Sequence, residues 1–159
     1  MSSTSSPLLG KRIMIVEDEY LIADDLACEL RQVGAEVIGP AASLPQSMRT
    51  IAHAGFIDAA ILDINLRETL AYPLLDHLIA AGVKVLITSG YDEAMIPERY
   101  RHLPRCEKPV SPVKLRRAAE TLWAGPTVIV TPAPEMPSKG VCTRKKGPGI
   151  AAGPLPDSA

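Results

Sequence analysis

Phe56-Ile57-Asp58-Ala59-Ala60-Ile61-Leu62-Asp63-Ile64-Asn65-Leu66 is a short apolar run that stops at a carboxylate and passes into turn-like polarity. With no polar residue alternating through its centre, it reads as a strand covered on both faces, as in a parallel sheet. Asp63 then stands at the carboxyl end of that strand, the edge where open α/β sheets take their ligands. One strand-end Asp is no signature, because the same residue type serves equally well as a cap for the following helix. The other strand ends decide between the two readings.

Outward from this strand the chain alternates. Upstream, Arg12-Ile13-Met14-Ile15-Val16 is a buried strand ending in Glu17-Asp18-Glu19. A helix over about 20–33 follows, with Ile22, Leu26, Leu30 and Val33 at helical spacing and Gly34 just past its end. Residues 35–41 read as a second strand centred on Val37 and Ile38. Ser43 as N-cap and Pro45 in the first turn predict a second helix to about His53.

Downstream, a loop over 67–71 leads to a helix over about 72–81. Pro73 lies near its start, Leu74, Leu75, Leu78 and Ile79 supply its buried face, and Gly82 ends it. Val83-Lys84-Val85-Leu86-Ile87-Thr88 is a fourth strand, closed by Ser89-Gly90-Tyr91. A weaker helix is expected over 92–101, interrupted by Pro97. A short strand over 105–107 runs into Lys108-Pro109, and Ser111-Pro112 opens a fifth helix to about Trp123, with Leu115, Ala118, Ala119 and Leu122 inward. Five strand–helix pairs in strict alternation predict a parallel, doubly wound sheet in three α/β/α layers.

The Ser-rich residues 1–10 are expected to be a disordered leader, with one domain over 11–124. Residues 125–159, where Pro and Gly crowd and apolar periodicity stops, are expected to be a disordered tail that buries too little surface to offset its ordering entropy. Hydrophobic residues make up 47% of the 159-residue chain, enough for a core, and with one Trp and one Phe that core must be aliphatic. A net charge of −1 provides no general field for nucleic acid or an anionic membrane. No apolar run reaches membrane-spanning length, and no signal core precedes the domain. Cys28, Cys106 and Cys142 are odd in number and widely spaced, which suggests neither a disulfide framework nor a zinc site, with Cys28 a plain helix residue. A cytoplasmic protein is the expectation.

At the shared strand edge the chemistry collects. Glu17 and Asp18 end the first strand, Asp63 the third, Ser89 the fourth and Lys108 the fifth. Three carboxylates crowded together repel unless a cation sits among them. Oxygen ligands without His or Cys suit Mg²⁺. An ammonium and a hydroxyl on the remaining sides can hold phosphoryl oxygens. The pattern therefore reads as a phosphoryl-transfer site with Asp63 as nucleophile, forming an aspartyl phosphate.

These pieces together resemble the receiver domain of two-component response regulators. The matching stretches are Ile15-Val16-Glu17-Asp18, Asp58 through Leu66, Thr88-Ser89-Gly90-Tyr91 and Glu107-Lys108-Pro109, spanning about residues 11–124. The resemblance implies a flavodoxin-like (βα)5 three-layer sandwich with strand order 2-1-3-4-5. It also implies that Asp63 accepts a phosphoryl group from a sensor histidine kinase or phosphotransfer protein. Glu17 and Asp18 would bind Mg²⁺ together with Asp63 and the backbone carbonyl of Asn65, Ser89 would be the switch hydroxyl in preference to Thr88, and Lys108 would contact the phosphoryl oxygens. A cis peptide before Pro109 is implied as well. Asp63-Ile64-Asn65-Leu66, Tyr72-Pro73 and the stretch from Gly90 to Tyr100 further resemble a bacterial subgroup found as stand-alone proteins beside HWE-type sensor kinases. One departure stands out. The position three before the lysine, aromatic in many receivers, is Arg105, and Tyr91 or Tyr100 is left to take its part.

The reading expected from the resemblance is a stand-alone response regulator that is not an enzyme beyond its own phosphorylation and dephosphorylation. It would signal through contacts with an unknown downstream protein or drain phosphate from a shared kinase, with homodimerisation left open. An Asp-nucleophile phosphatase would place a second carboxylate two residues past the nucleophile, where this chain has Asn65. A degenerate receiver acting as a constitutive binding module would have no need of Glu17, Asp18, Asp63, Ser89 and Lys108 together. His53, His77, His102 and the Arg144-Lys145-Lys146 cluster are assigned no role.

Overall fold

The computed structural model describes residues 5–67, 69–90 and 95–123. Its elements in chain order are β1 (Arg12–Val16), α1 (Tyr20–Gln32), β2 (Glu36–Ala41), α2 (Leu44–Ala54), β3 (Ala59–Asp63), the short strands β4 (Asn65–Leu66) and β5 (Thr69–Leu70), α3 (Tyr72–Ala80), β6 (Lys84–Ser89), β7 (Arg105–Glu107) and α4 (Pro112–Glu120). The main sheet is five-stranded in the order β2-β1-β3-β6-β7, each neighbouring pair parallel. With β4 and β5 set aside as a separate antiparallel hairpin, this is the expected 2-1-3-4-5 order.

Strand alternation divides the core between the two faces. Met14, Val16, Ala60, Leu62, Val85 and Ile87 pack with Leu74, Leu75 and Leu78 of α3 and partly buried residues of α2. Ile13, Ile15, Ala59, Ile61 and Leu86 pack instead with α1 and α4 through Leu26, Leu30, Leu115 and Ala119. All five residues of β3 are buried, which is why its sequence shows no alternation. Ser43 and Ser111 cap α2 and α4 by accepting hydrogen bonds from the backbone N–H groups of Gln46 and Lys114, both at 3.2 Å. Pro45 and Pro112 sit in the first turns those caps open.

The structure corrects four expectations. Residues 5–10 are not a disordered leader: Leu8 is fully buried in the α1/α4 core, Ser6 donates to a Glu120 carboxylate oxygen at 2.9 Å, and Gly10 N–H bonds Gly34 O at 2.9 Å. The helix expected over 92–101 is not continuous among the described residues, which carry a 3₁₀ turn over Glu98–Tyr100 entered through Pro97. Proline supplies no N–H to continue a helix and pushes the residue before it to extended backbone. Instead, Ile96 and Tyr100 anchor the segment by burial in the α2/α3-side core. The loop expected over 67–71 carries the β4–β5 hairpin, with Arg67 at a left-handed φ of 49°. Cys28 is disulfide-bonded, whereas Cys106 is free.

The Lys108–Pro109 peptide is cis, as expected, and so is Gly39–Pro40. The expected 125–159 tail, Cys142, the 144–146 basic cluster and Tyr91 lie outside the described residues. No helix among the described residues is long and apolar enough to cross a membrane.

Candidate functional site

The site is built at the carboxyl edge of the sheet. Parallel pairing sets Val16 beside Leu62 and Asp63 beside Thr88, so the ends of β1, β3 and β6 reach one line. Glu17 follows β1 directly and is held by its N–H on Ala41 O of β2 at 3.0 Å. Lys108 follows β7, and its N–H bonds Ser89 O at 2.9 Å, which ties it to the end of β6. Carboxylate oxygens of Glu17, Asp18 and Asp63 lie within 4.8 Å of one another. Lys108 Nζ donates to Asp63 Oδ2 at 2.6 Å and to Glu17 Oε2 and Oε1 at 3.0 and 3.3 Å.

Backbone groups fix the other oxygens. Asn65 N–H donates to Asp63 Oδ1 at 2.9 Å, Glu19 N–H to Glu17 Oε1 at 3.1 Å, and Arg67 N–H to Asp18 Oδ2 at 3.2 Å. Asp63 and Glu17 are 4% and 5% exposed, while Asp18 is half-buried. Lys108 is half-buried as well, so the cluster opens to solvent past Asp18 and Lys108.

Burial raises the Glu17 carboxyl to about 7, with the Asp63 charge adding to the rise, against the Glu19 N–H and Lys108, which favour the carboxylate. Burial pulls the Lys108 ammonium down, but its bonds to Asp63 and Glu17 and their charges outweigh this, so it is held above the ordinary lysine range. One ammonium against three carboxylates leaves an excess of negative charge in a partly dry cleft. Such a donor set, oxygen throughout, fits a hard divalent cation such as Mg²⁺, with Glu17, Asp18 and Asp63 as the residues to hold it.

Glu17, Asp18, Asp63, Asn65 and Lys108 are thus brought together as read from the sequence. Ser89 closes β6 at the same edge and is buried, and so is Thr88, the direct neighbour of Asp63 across the β3–β6 pair. Asp58, on the opposite edge, accepts from Arg12 N–H at 2.8 Å and clamps β1 to the start of β3. Three groups escaped the sequence reading, the N–H groups of Asn65, Glu19 and Arg67, because a backbone donor leaves no mark in residue type. For Arg67 the tight hairpin that aims its N–H is written by tertiary packing.

No protein-family model and no curated protein matches the chain. Solved structures do. SdrG from Sphingomonas melonis Fr1 is 30% identical, over 71% of this chain and 96% of its own, with a TM-score of 0.61. SdrG in its BeF3-activated conformation, from Pseudomonas melonis Fr1, is 28% identical, over 75% and 98%, with a TM-score of 0.58. The receiver (REC) domain of the PhyR response regulator from Erythrobacter litoralis shares the fold at 22% identity, over 76% and 98%, with a TM-score of 0.64.

Proposed function

This chain belongs to the receiver domains of response regulators, and on that premise we propose that it is a switch phosphorylated on Asp63. The observation that carries the reading is the cluster of Glu17, Asp18 and Asp63, with Lys108 Nζ 2.6 Å from Asp63 Oδ2. The existence of a BeF3-activated conformation of the similar protein SdrG supports it, since beryllofluoride has the shape and charge of a phosphoryl group.

In the step proposed, an Asp63 carboxylate oxygen attacks the phosphorus of a phosphohistidine on a sensor kinase or phosphotransfer protein. The O–P bond forms as the P–N bond breaks, and the imidazole keeps the electron pair and takes up a proton. Asn65 N–H, on Oδ1, orients the carboxylate, and Lys108 holds its ammonium where negative charge gathers on the phosphoryl oxygens. Mg²⁺, held by Glu17, Asp18, Asp63 and the Asn65 carbonyl, would neutralise phosphoryl charge. Ser89, at the end of β6, is the hydroxyl we assign to the phosphoryl group, with Thr88 as its rival. Water attacking phosphorus breaks the Asp63 O–P bond, releases inorganic phosphate and returns the carboxylate; no other substrate is proposed.

The kinase partner would be of the HWE type or a relative, and the output a protein contact or removal of phosphate from that kinase. Borohydride tests the chemistry, because it reduces an acyl phosphate to an alcohol. After acetyl phosphate and Mg²⁺, peptide mass spectrometry should find homoserine at position 63. Homoserine at another Asp, the five-carbon 5-hydroxynorvaline at a Glu, or no reduced residue at all would count against Asp63.

A further inference from the structure

Receivers need a link from the acidic cluster to a surface that a partner can read, and in this chain the position three before Lys108 holds Arg105 instead of an aromatic ring. Another aromatic pair stands nearby. Tyr100, 1% exposed, lies flat against Tyr72, with ring centroids 5.2 Å apart and planes 3° from parallel. Its hydroxyl donates to Asp76 Oδ1 of α3 at 2.5 Å and accepts from Arg99 at 2.5 Å. Arg99 also pairs with Asp76 Oδ2 at 3.3 Å and lies over the Tyr100 ring.

Tyr72 is the first residue of α3, and its chain neighbour Ala71 donates its N–H to Ile64 O at 2.8 Å. Ile64 follows Asp63, and its own N–H is held by Thr88 O at 3.2 Å. A shift of the backbone at 63–65 therefore meets the start of α3 through one hydrogen bond, and α3 meets the 95–103 segment through the stacked rings and the Asp76 bonds. Leu103 N–H returns to Tyr100 O at 3.0 Å, and Pro104 O accepts from Ile87 N–H at 2.9 Å, so the segment is closed at its far end on β6. The exposed Met95, Arg99 and Arg101 on this segment form the surface that would change.

Resting on the reading of Asp63 as phosphoacceptor, we propose that Tyr72 and Tyr100 are positioning residues that pass the state of Asp63 to the 95–103 surface, in place of an aromatic at 105. Packed stacked rings allow a discrete change of arrangement, whereas an exposed segment without them would relax independently.

The test is beryllofluoride with Mg²⁺ added to the full chain, followed by ¹H–¹⁵N spectra of wild type, Tyr72→Leu, Tyr100→Phe and Arg105→Ala. In wild type, shifts should cover the surroundings of Asp63 and extend to the amides of 96–103. Tyr72→Leu keeps apolar bulk, and its ligand-free spectrum and thermal midpoint should stay near wild type. Its beryllofluoride shifts should still appear around Asp63 but vanish from 96–103. Tyr100→Phe, which keeps the ring and loses the Asp76 bond, should retain only part of them. Arg105→Ala should leave them in place. Full shifts at 96–103 in both tyrosine variants, or their loss in Arg105→Ala, would overturn this inference while leaving the phosphoacceptor intact. No shifts near Asp63 in wild type would overturn both.

Discussion

Glu17 shows what gathering these residues costs. Its carboxyl is raised to about 7 in the fold against an ordinary value of 4.5, with burial as the largest cause and the Asp63 charge adding to the rise. Between those two values the folded chain keeps a proton that the unfolded chain has released, so stability falls as pH rises across that window. Glu17→Gln should flatten this fall in denaturant titrations from pH 5 to 7.5 and raise the midpoint at pH 8. Mg²⁺ has to displace the same proton, so its apparent affinity in wild type should climb through about pH 7 and level off above it. Lys108 acts in the other direction on the same charges. Lys108→Ala removes a charge-assisted bond worth roughly 1.5–3 kcal/mol and should slow labelling by acetyl phosphate about 10- to 100-fold, read from the growth of the adduct in time. Glu17 and Asp63 were legible in the sequence because each stands at the end of an apolar strand, and Lys108 because it sits in a Lys-Pro pair after the short strand β7. The N–H groups of Asn65, Glu19 and Arg67 that orient them were not, since any residue but proline could supply them.

The helices that carry their own caps were also readable before the structure. Ser43-x-x-Gln46 and Ser111-x-x-Lys114 each place a hydroxyl oxygen on the N–H three residues on, with proline in the first turn. Ser111→Ala should therefore cost about 1 kcal/mol of global stability in chemical denaturation, with the acid cluster unaffected. The segment between β6 and β7 was misread for the opposite reason. Ile96 and Tyr100 are spaced like one face of a helix, but Pro97 stands between them, and what fixes the segment is the contact of Tyr100 with Tyr72 and Asp76 more than twenty positions away. Local pattern carries no trace of such a partner. The β4–β5 hairpin was missed likewise, because two-residue strands have no periodicity to detect.

For the whole molecule, the parallel order followed from strict alternation of strand and helix, and the clustering of the chemistry at one edge followed from the order. What the alternation could not reveal is how the ends of the domain are closed. Leu8, a lone leucine pair member in a Ser-rich stretch, is fully buried against α1 and α4, and Ser6 reaches Glu120. Leu8→Ala should lower stability by about 2–5 kcal/mol, as for other buried leucines, whereas a disordered leader would show no change in the denaturation midpoint.

The account turns on Asp63 as the phosphorylated residue, and intact-protein mass after incubation with acetyl phosphate and Mg²⁺ tests it most directly. Wild type should gain one phosphoryl group, while Asp63→Asn and wild type with chelator should gain none. An equal adduct on Asp63→Asn, or a folded wild type that takes up no phosphoryl group at any time sampled, would contradict it.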